Sequence, residues 1–186
     1  MGLKGKATLR ATASAAGMSL AEADRMSEAL VKKGLLNLKS GEVMLTEEGR
    51  RRFSVVFIGG GFEVIHSGHL YTINEAKKLG DVLVAVVATD KTIKRRKGRE
   101  PVASQGQRMN LLSALRQVDC AILGTEGDIY KTLERVRPDV VALGYDQYHL
   151  ETDIMNEGKR RGMNPRVVRL DSPYTSVKTS RILKEL

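Results

Sequence analysis

The chain has 186 residues, 41% hydrophobic and 28% charged, with a formal net charge of +9, one cysteine and no tryptophan. That length admits one sizeable core or two small domains. A lone cysteine excludes an intrachain disulfide, and no apolar run nears the roughly 20 residues that span a bilayer, so a cytoplasmic protein without a membrane partner is expected.

The basic N-terminus, MGLKGKATLR, has no secretory-type apolar run behind it. Ala7 to Ala16 is alanine-rich and predicts a helix broken at Gly17. Ser19 and Glu22 have capping-box spacing, opening a helix that runs to about Lys33 and stops at Gly34. Leu20, Ala23, Met26, Leu30 and Val31 recur at helical spacing as its apolar face. LLNLKSGEVML alternates around Ser40–Gly41, as a hairpin does, and LTEEGRRRF follows. Helix, turn, helix and hairpin in that order resemble a winged-helix domain, which implies DNA as a partner. Acidic Glu22, Asp24 and Glu28 on the helix that would enter the groove argue against it, because phosphates repel them. A packing or dimerisation module is the plainer reading of residues 1–53, and a homodimer is among the assemblies left open.

From Ser54 the pattern changes. SVVFI predicts a buried strand, and HLYTINEAKKLGD an amphipathic helix with Leu70, Ile73, Ala76 and Leu79 on one side. VLVAVVA predicts a second buried strand. A helix over Gln105 to Val118, strand CAIL, helix IYKTLERV, strand VVAL, a helix from Asp153 to Arg161, strand RVVRL and a final helix to Leu186 follow. The alternation over 54–186 predicts an α/β fold, a doubly wound parallel five-stranded sheet of Rossmann-like type.

Ligands bind such sheets at the carboxyl ends of the strands. GGGFEVIHSGHL, Gly59 to Leu70, falls at that edge and holds two of the chain's three histidines. Successive glycines bare the backbone, and the helix starting near Ser67 turns its free N–H groups outward, both favouring a phosphate. The third glycine of GxGxxG is missing and nothing matches GxxxxGK[ST], which argues against a dinucleotide fingerprint and a P-loop. No third ligand stands at zinc spacing from His66 and His69. In KTIKRRKGRE, phosphate binding suits Lys97, and Arg99 is a further candidate; Lys91, Lys94 and Arg95 read as solvated surface. Cys120 reads as inert core.

GGFEVIHSGH resembles the signature of the cytidylyltransferase-like, HxGH nucleotidyltransferases, matched at Gly60, Phe62, His66, Gly68 and His69. Gly61 replaces the usual Thr or Val, and Glu63 the usual Asp. KGREP, the helix around Arg108, EGDIY, ALGYDQ and the terminal TSRIL look like the archaeal FAD synthetase branch, the FMN adenylyltransferases. That resemblance implies transfer of AMP from ATP to FMN, giving FAD and pyrophosphate. It implies catalytic roles for His66, His69, Lys97 and Arg181, and nucleotide binding by Gly60, Gly61, Phe62, His66, Gly68, His69, Gly144, Asp146, Thr179 and Ser180. Mg²⁺ would be held chiefly by the triphosphate, with no metal site in the protein itself. A flavin ring needs an apolar slot, for which Tyr145, Tyr148 and Tyr174 are candidates. Two alternatives stand beside this reading: a cytidylyltransferase acting on a phosphorylated alcohol such as glycerol 3-phosphate, and a nucleotide-sensing, DNA-binding regulator.

Overall fold

The structure is a computed structural model and describes residues 7–183. The chain divides into two compact units, Met1–Phe53 and Ser54–Leu186.

In the first unit, Ala7–Thr8 form a short strand, β1, and the helix expected from Ala7 starts only at Leu9 (α1, Leu9–Ala15). Ala7 and Thr8 pair with Val43 and Glu42, and the Thr8 hydroxyl accepts from the Ala11 amide, so the first residues are drawn into a sheet. The capping box of Ser19 and Glu22 opens α2 (Leu20–Lys32). Strands β2 (Leu36–Lys39) and β3 (Glu42–Leu45) form the hairpin. Positive φ at both Ser40 (51°) and Gly41 (75°) matches the twist of a two-residue turn. The sheet order is β1-β3-β2, and a single turn, α3 (Glu47–Arg50), follows. Of the apolar face expected on α2, Ala23 is buried and Leu30 half-buried, whereas Leu20, Met26 and Val31 are exposed; Ser27, outside that face, is buried too. The helix packs chiefly on α1 and β2, against which the small side chains of Ala23 and Ser27 are buried.

The second unit is built on β4 (Val55–Gly60), β5 (Val82–Val87), β6 (Cys120–Leu123), β7 (Val140–Gly144) and β8 (Arg166–Leu170). All pairings are parallel, in the order β6-β5-β4-β7-β8. The chain steps one way from β4 to β6, then starts again at β7 on the other side of β4. With one crossover hand, the helices fall on opposite faces and strand order reverses between β4 and β7. Helices α4 (Ser67–Lys77) and α6 (Gln105–Ser113) supply Ile73, Ala76 and Leu112 to a core with Val56, Ile58, Leu83 and Ala142. The alternate residues Val55, Phe57, Val84 and Val141 are buried too, so the strands are covered on both faces. At the amino ends, Asp139 and Asp119 accept from the amides of Val55 and Leu83, each at 2.7 Å.

Three details depart from expectation. The basic run is a helix, α5 (Asp90–Lys97), capped by the Thr89 hydroxyl and stopped by left-handed Gly98. Helix α6 ends at Ser113, short of Val118, and Leu70 on α4 is exposed. Helices α7 (Ile129–Val136) and α8 (Glu151–Arg160) complete the alternation. The final helix is described as one turn, α9 (Thr179–Ile182); its expected continuation to Leu186 lies outside the described residues. No helix among the described residues is long and apolar enough to cross a membrane.

Candidate active site

The HxGH segment leaves β4 at the strand-order reversal. Phe62 adopts φ 49° and is buried, its ring folded back over Gly60. A Cβ at Gly60 would stand 2.9 Å from the ring's Cζ, so the turn closes only with glycine there. One at Gly68 would stand 3.1 Å from His66 Cε1, and its absence lets the His66 imidazole lie on the first turn of α4. The His66 and His69 rings are 3.9 Å apart, with Phe62 5.4 Å from His69. Both nitrogens of His66 and Nδ1 of His69 are shielded and have no hydrogen-bond partner in the protein. Buried polar atoms are ordinarily satisfied, so such orphans are apt for a ligand. Burial, then the neighbouring His66, pushes His69 down to about 4 against the pull of Asp146 and the Val64 backbone. Burial also lowers His66, opposed by Asp146. Both rings are therefore neutral at pH 7 in the ligand-free protein.

Glu63 is buried and gathers the cations. Its carboxylate accepts from Lys97 Nζ and, at 2.7 Å, from Arg99, with the Val102 amide at 3.4 Å. Burial would raise this carboxyl, but Arg99 and Lys97 together outweigh it and hold it at about 2. From the far end of the chain, the Thr179 hydroxyl donates to the Val64 carbonyl, and Lys178 pairs with Asp146 at 3.7 Å.

Two cavities open at this edge. One, of about 280 Å³, is lined by His66, His69, Lys97, Lys178, Thr179 and Ser180 over Ile58 and Ala142. The other, of about 640 Å³, lies over Phe57, Val86 and Leu143. Successive strand residues point to opposite faces, so Ile58 and Phe57 place the cavities on opposite sides of the sheet. They meet at Gly59, Gly60, Asp146 and Gln147, which line both.

The cytidylyltransferase-like profile matches residues 57–185. The chain belongs to the cytidylyltransferase-like family. Within it, the chain is 42% identical over 121 residues to the FAD synthase of Picrophilus torridus, covering 65% of this chain and 86% of that one. It is 38% identical over 143 residues to the FAD synthase of Thermococcus kodakarensis, covering 75% and 95%. A crystal structure described as a lipopolysaccharide core biosynthesis protein from Thermoplasma volcanium superposes with a TM-score of 0.62 at 41% identity, covering 64% of this chain and 98% of that one.

In this cytidylyltransferase-like site, the smaller cavity brings together His66, His69, Lys97, Gly60, Phe62, Gly68, Gly144, Asp146, Thr179 and Ser180. Gly61 lines the larger cavity. Arg99 and Arg181 line neither; Arg99 braces Glu63 and the Glu100 carbonyl. The three tyrosines do not share a slot: Tyr145 lines the smaller cavity, Tyr148 the larger, and Tyr174 packs edge-on against Tyr71. Arg95, read as solvated, lines the larger cavity beside Arg96.

Sequence reasoning gave no role to two residues that hold the loops. Arg108 is fully buried and donates to the carbonyls of Gly61, Ala88 (2.8 Å) and Ala103 (3.0 Å) and to Asp90 (2.7 Å). The Gln147 amide donates to the Gly59 carbonyl. Among the described residues no three His, Cys, Asp or Glu side chains gather as a metal-binding group.

Proposed function

We propose that the protein transfers AMP from ATP to FMN, giving FAD and pyrophosphate. The observation that carries this reading is the pair of cavities on opposite faces, joined at bare glycines beside imidazoles that keep unpartnered ring nitrogens. Two substrates can enter separately there and touch only through their phosphates. The FAD synthases to which the chain is similar support the choice of substrates.

In this reading ATP lies in the smaller cavity. An FMN phosphate oxygen attacks the α-phosphorus; the P–O bond to the β-phosphate breaks, and pyrophosphate leaves with its electron pair. The chain contributes position and charge rather than a covalent intermediate. His66 and His69 donate N–H groups to phosphate oxygens, and contact with the polyanion raises both toward the doubly protonated form. Lys97, anchored by Glu63, neutralises phosphate at the glycine junction. Asp146 is the one carboxylate lining the smaller cavity, so a divalent cation such as Mg²⁺ would ride on the triphosphate with Asp146 as a protein ligand. Bound there, it supplies neutralisation of charge on the leaving group. We read residues 1–53 as a winged-helix-like domain, with the acidic side chains of α2 unsuited to DNA.

Purified protein incubated with FMN, Mg²⁺ and either ATP or CTP, the flavins then resolved by chromatography, tests the reading. FAD from ATP, with CTP a poor substitute, is expected. No FAD, alongside turnover of CTP with glycerol 3-phosphate or salt-dependent operator binding without turnover, would overturn it.

A further inference from the structure

Most of the larger cavity's surroundings play no part in the phosphate chemistry. Its floor is apolar, made by the buried side chains of Phe57, Val86 and Leu143. At its wall three side chains stack: the Arg96 guanidinium lies 4.2 Å from the centroid of the Tyr148 ring, and that ring lies 4.0 Å from the ring of His149, tilted by 37°. All three line the cavity, yet Tyr148 remains 60% exposed. An aromatic ring fixed by two planar neighbours and still open offers a stacking surface at little cost in side-chain entropy.

We infer that this cavity is the flavin subsite, with Tyr148, steadied by Arg96 and His149, as the platform on which the isoalloxazine ring lies. The inference rests on the FMN adenylyltransferase reading and deepens it. Size and charge both separate the two cavities. About 640 Å³ suits a ligand of flavin size. The larger cavity is also lined by the carboxylates of Asp128 and Asp153, neither of which lines the smaller one. They repel a triphosphate, whereas a flavin's imide N–H and ribityl hydroxyls can donate to them. Lys97, Lys178, His66 and His69 line the smaller cavity on the other side, where a triphosphate belongs. An FMN so placed brings its single phosphate to Gly59 and Gly60, where the cavities join.

The test compares wild type, Tyr148→Ala and Tyr148→Phe. FMN binding without ATP is read by quenching of flavin fluorescence, and KM is measured separately for FMN and ATP. Loss of the ring should raise the FMN dissociation constant and KM about 10-fold, the scale of one stacking contact, and leave KM for ATP unchanged. Tyr148→Phe should restore most of both and retain quenching. An exposed side chain leaves the unfolding midpoint near that of wild type. If wild type makes FAD and Tyr148→Ala binds FMN as tightly, or if KM for ATP rises instead, the subsite assignment is wrong and the activity stands. If wild type makes no FAD, the activity itself falls, and the assignment with it.

Discussion

Replacing Glu63 with glutamine keeps the shape of a buried side chain and removes the charge that holds Lys97 and Arg99. A carboxyl lowered from 4.5 to about 2 contributes about 3 kcal/mol of stability by linkage. Lys97 and Arg99 are 40% and 39% exposed, so water screens part of this and about 2 kcal/mol is the better expectation. The sign follows from the lowered value. The contribution is fully present above pH 4.5 and lost as pH falls through about 2. Urea unfolding of wild type and Glu63→Gln, followed by circular dichroism, should differ by about 2 kcal/mol at pH 7 and by roughly half that or less at pH 3. Because Lys97 also loses its anchor, kcat/KM for ATP should fall about 10-fold at pH 7. A stability difference below about 0.5 kcal/mol, or one equal at both pH values, would refute the carboxylate's role as anchor.

His66→Ala and His69→Ala should each lower kcat about 100-fold or more, with smaller effects on substrate affinity; near wild-type kcat in folded variants would remove the histidines from the mechanism. Since burial holds His69 at about 4 in the free protein and a bound polyanion raises it, ATP binding above that pH should take up protons. Calorimetry in buffers of different ionisation enthalpy reads this uptake, and binding heats independent of buffer would contradict it. A chain beginning at Arg51 should fold and retain turnover, because both cavities are lined by residues of the second unit. A folded but inactive fragment would show that the first unit completes the site.

The parts of this fold that were legible in the sequence are those where physics writes a local pattern. Val82–Val87 reads as a strand because it is buried on both faces, and Ser19 and Glu22 announce a helix because their side chains satisfy its first amides. Helix α5 escaped this reading because only Ile93 of its eight residues is buried, leaving no apolar period to detect. The Thr89 cap and the stop at Gly98 were its only signals. Taken as a helix, the run would have put Thr89, Thr92 and Arg96 on one face and Ile93 with Lys97 on another, and so found Arg96 at the larger cavity. Helix α2 misled in the opposite way, since its apolar spacing is real but Leu20, Met26 and Val31 on it are exposed. Arg108 was out of reach for a different cause. Its acceptors are mostly main-chain carbonyls, and any residue supplies a carbonyl, so no residue type in the sequence marks the sites it binds.

That buried guanidinium also sets how the site can move. The loop after β4, the loop after β5, the first turn of α5 and the segment entering α6 all bond to Arg108. None can lift away without breaking a bond to the same group. Hydrogen exchange should therefore find the amides of Ala88, Ile93 and Arg108, bonded to Gly60, Thr89 and Ser104, opening with one shared free energy, as a single cooperative unit rather than three independent loops. Substrate entry at this edge is then a concerted event whose amplitude is limited by one side chain.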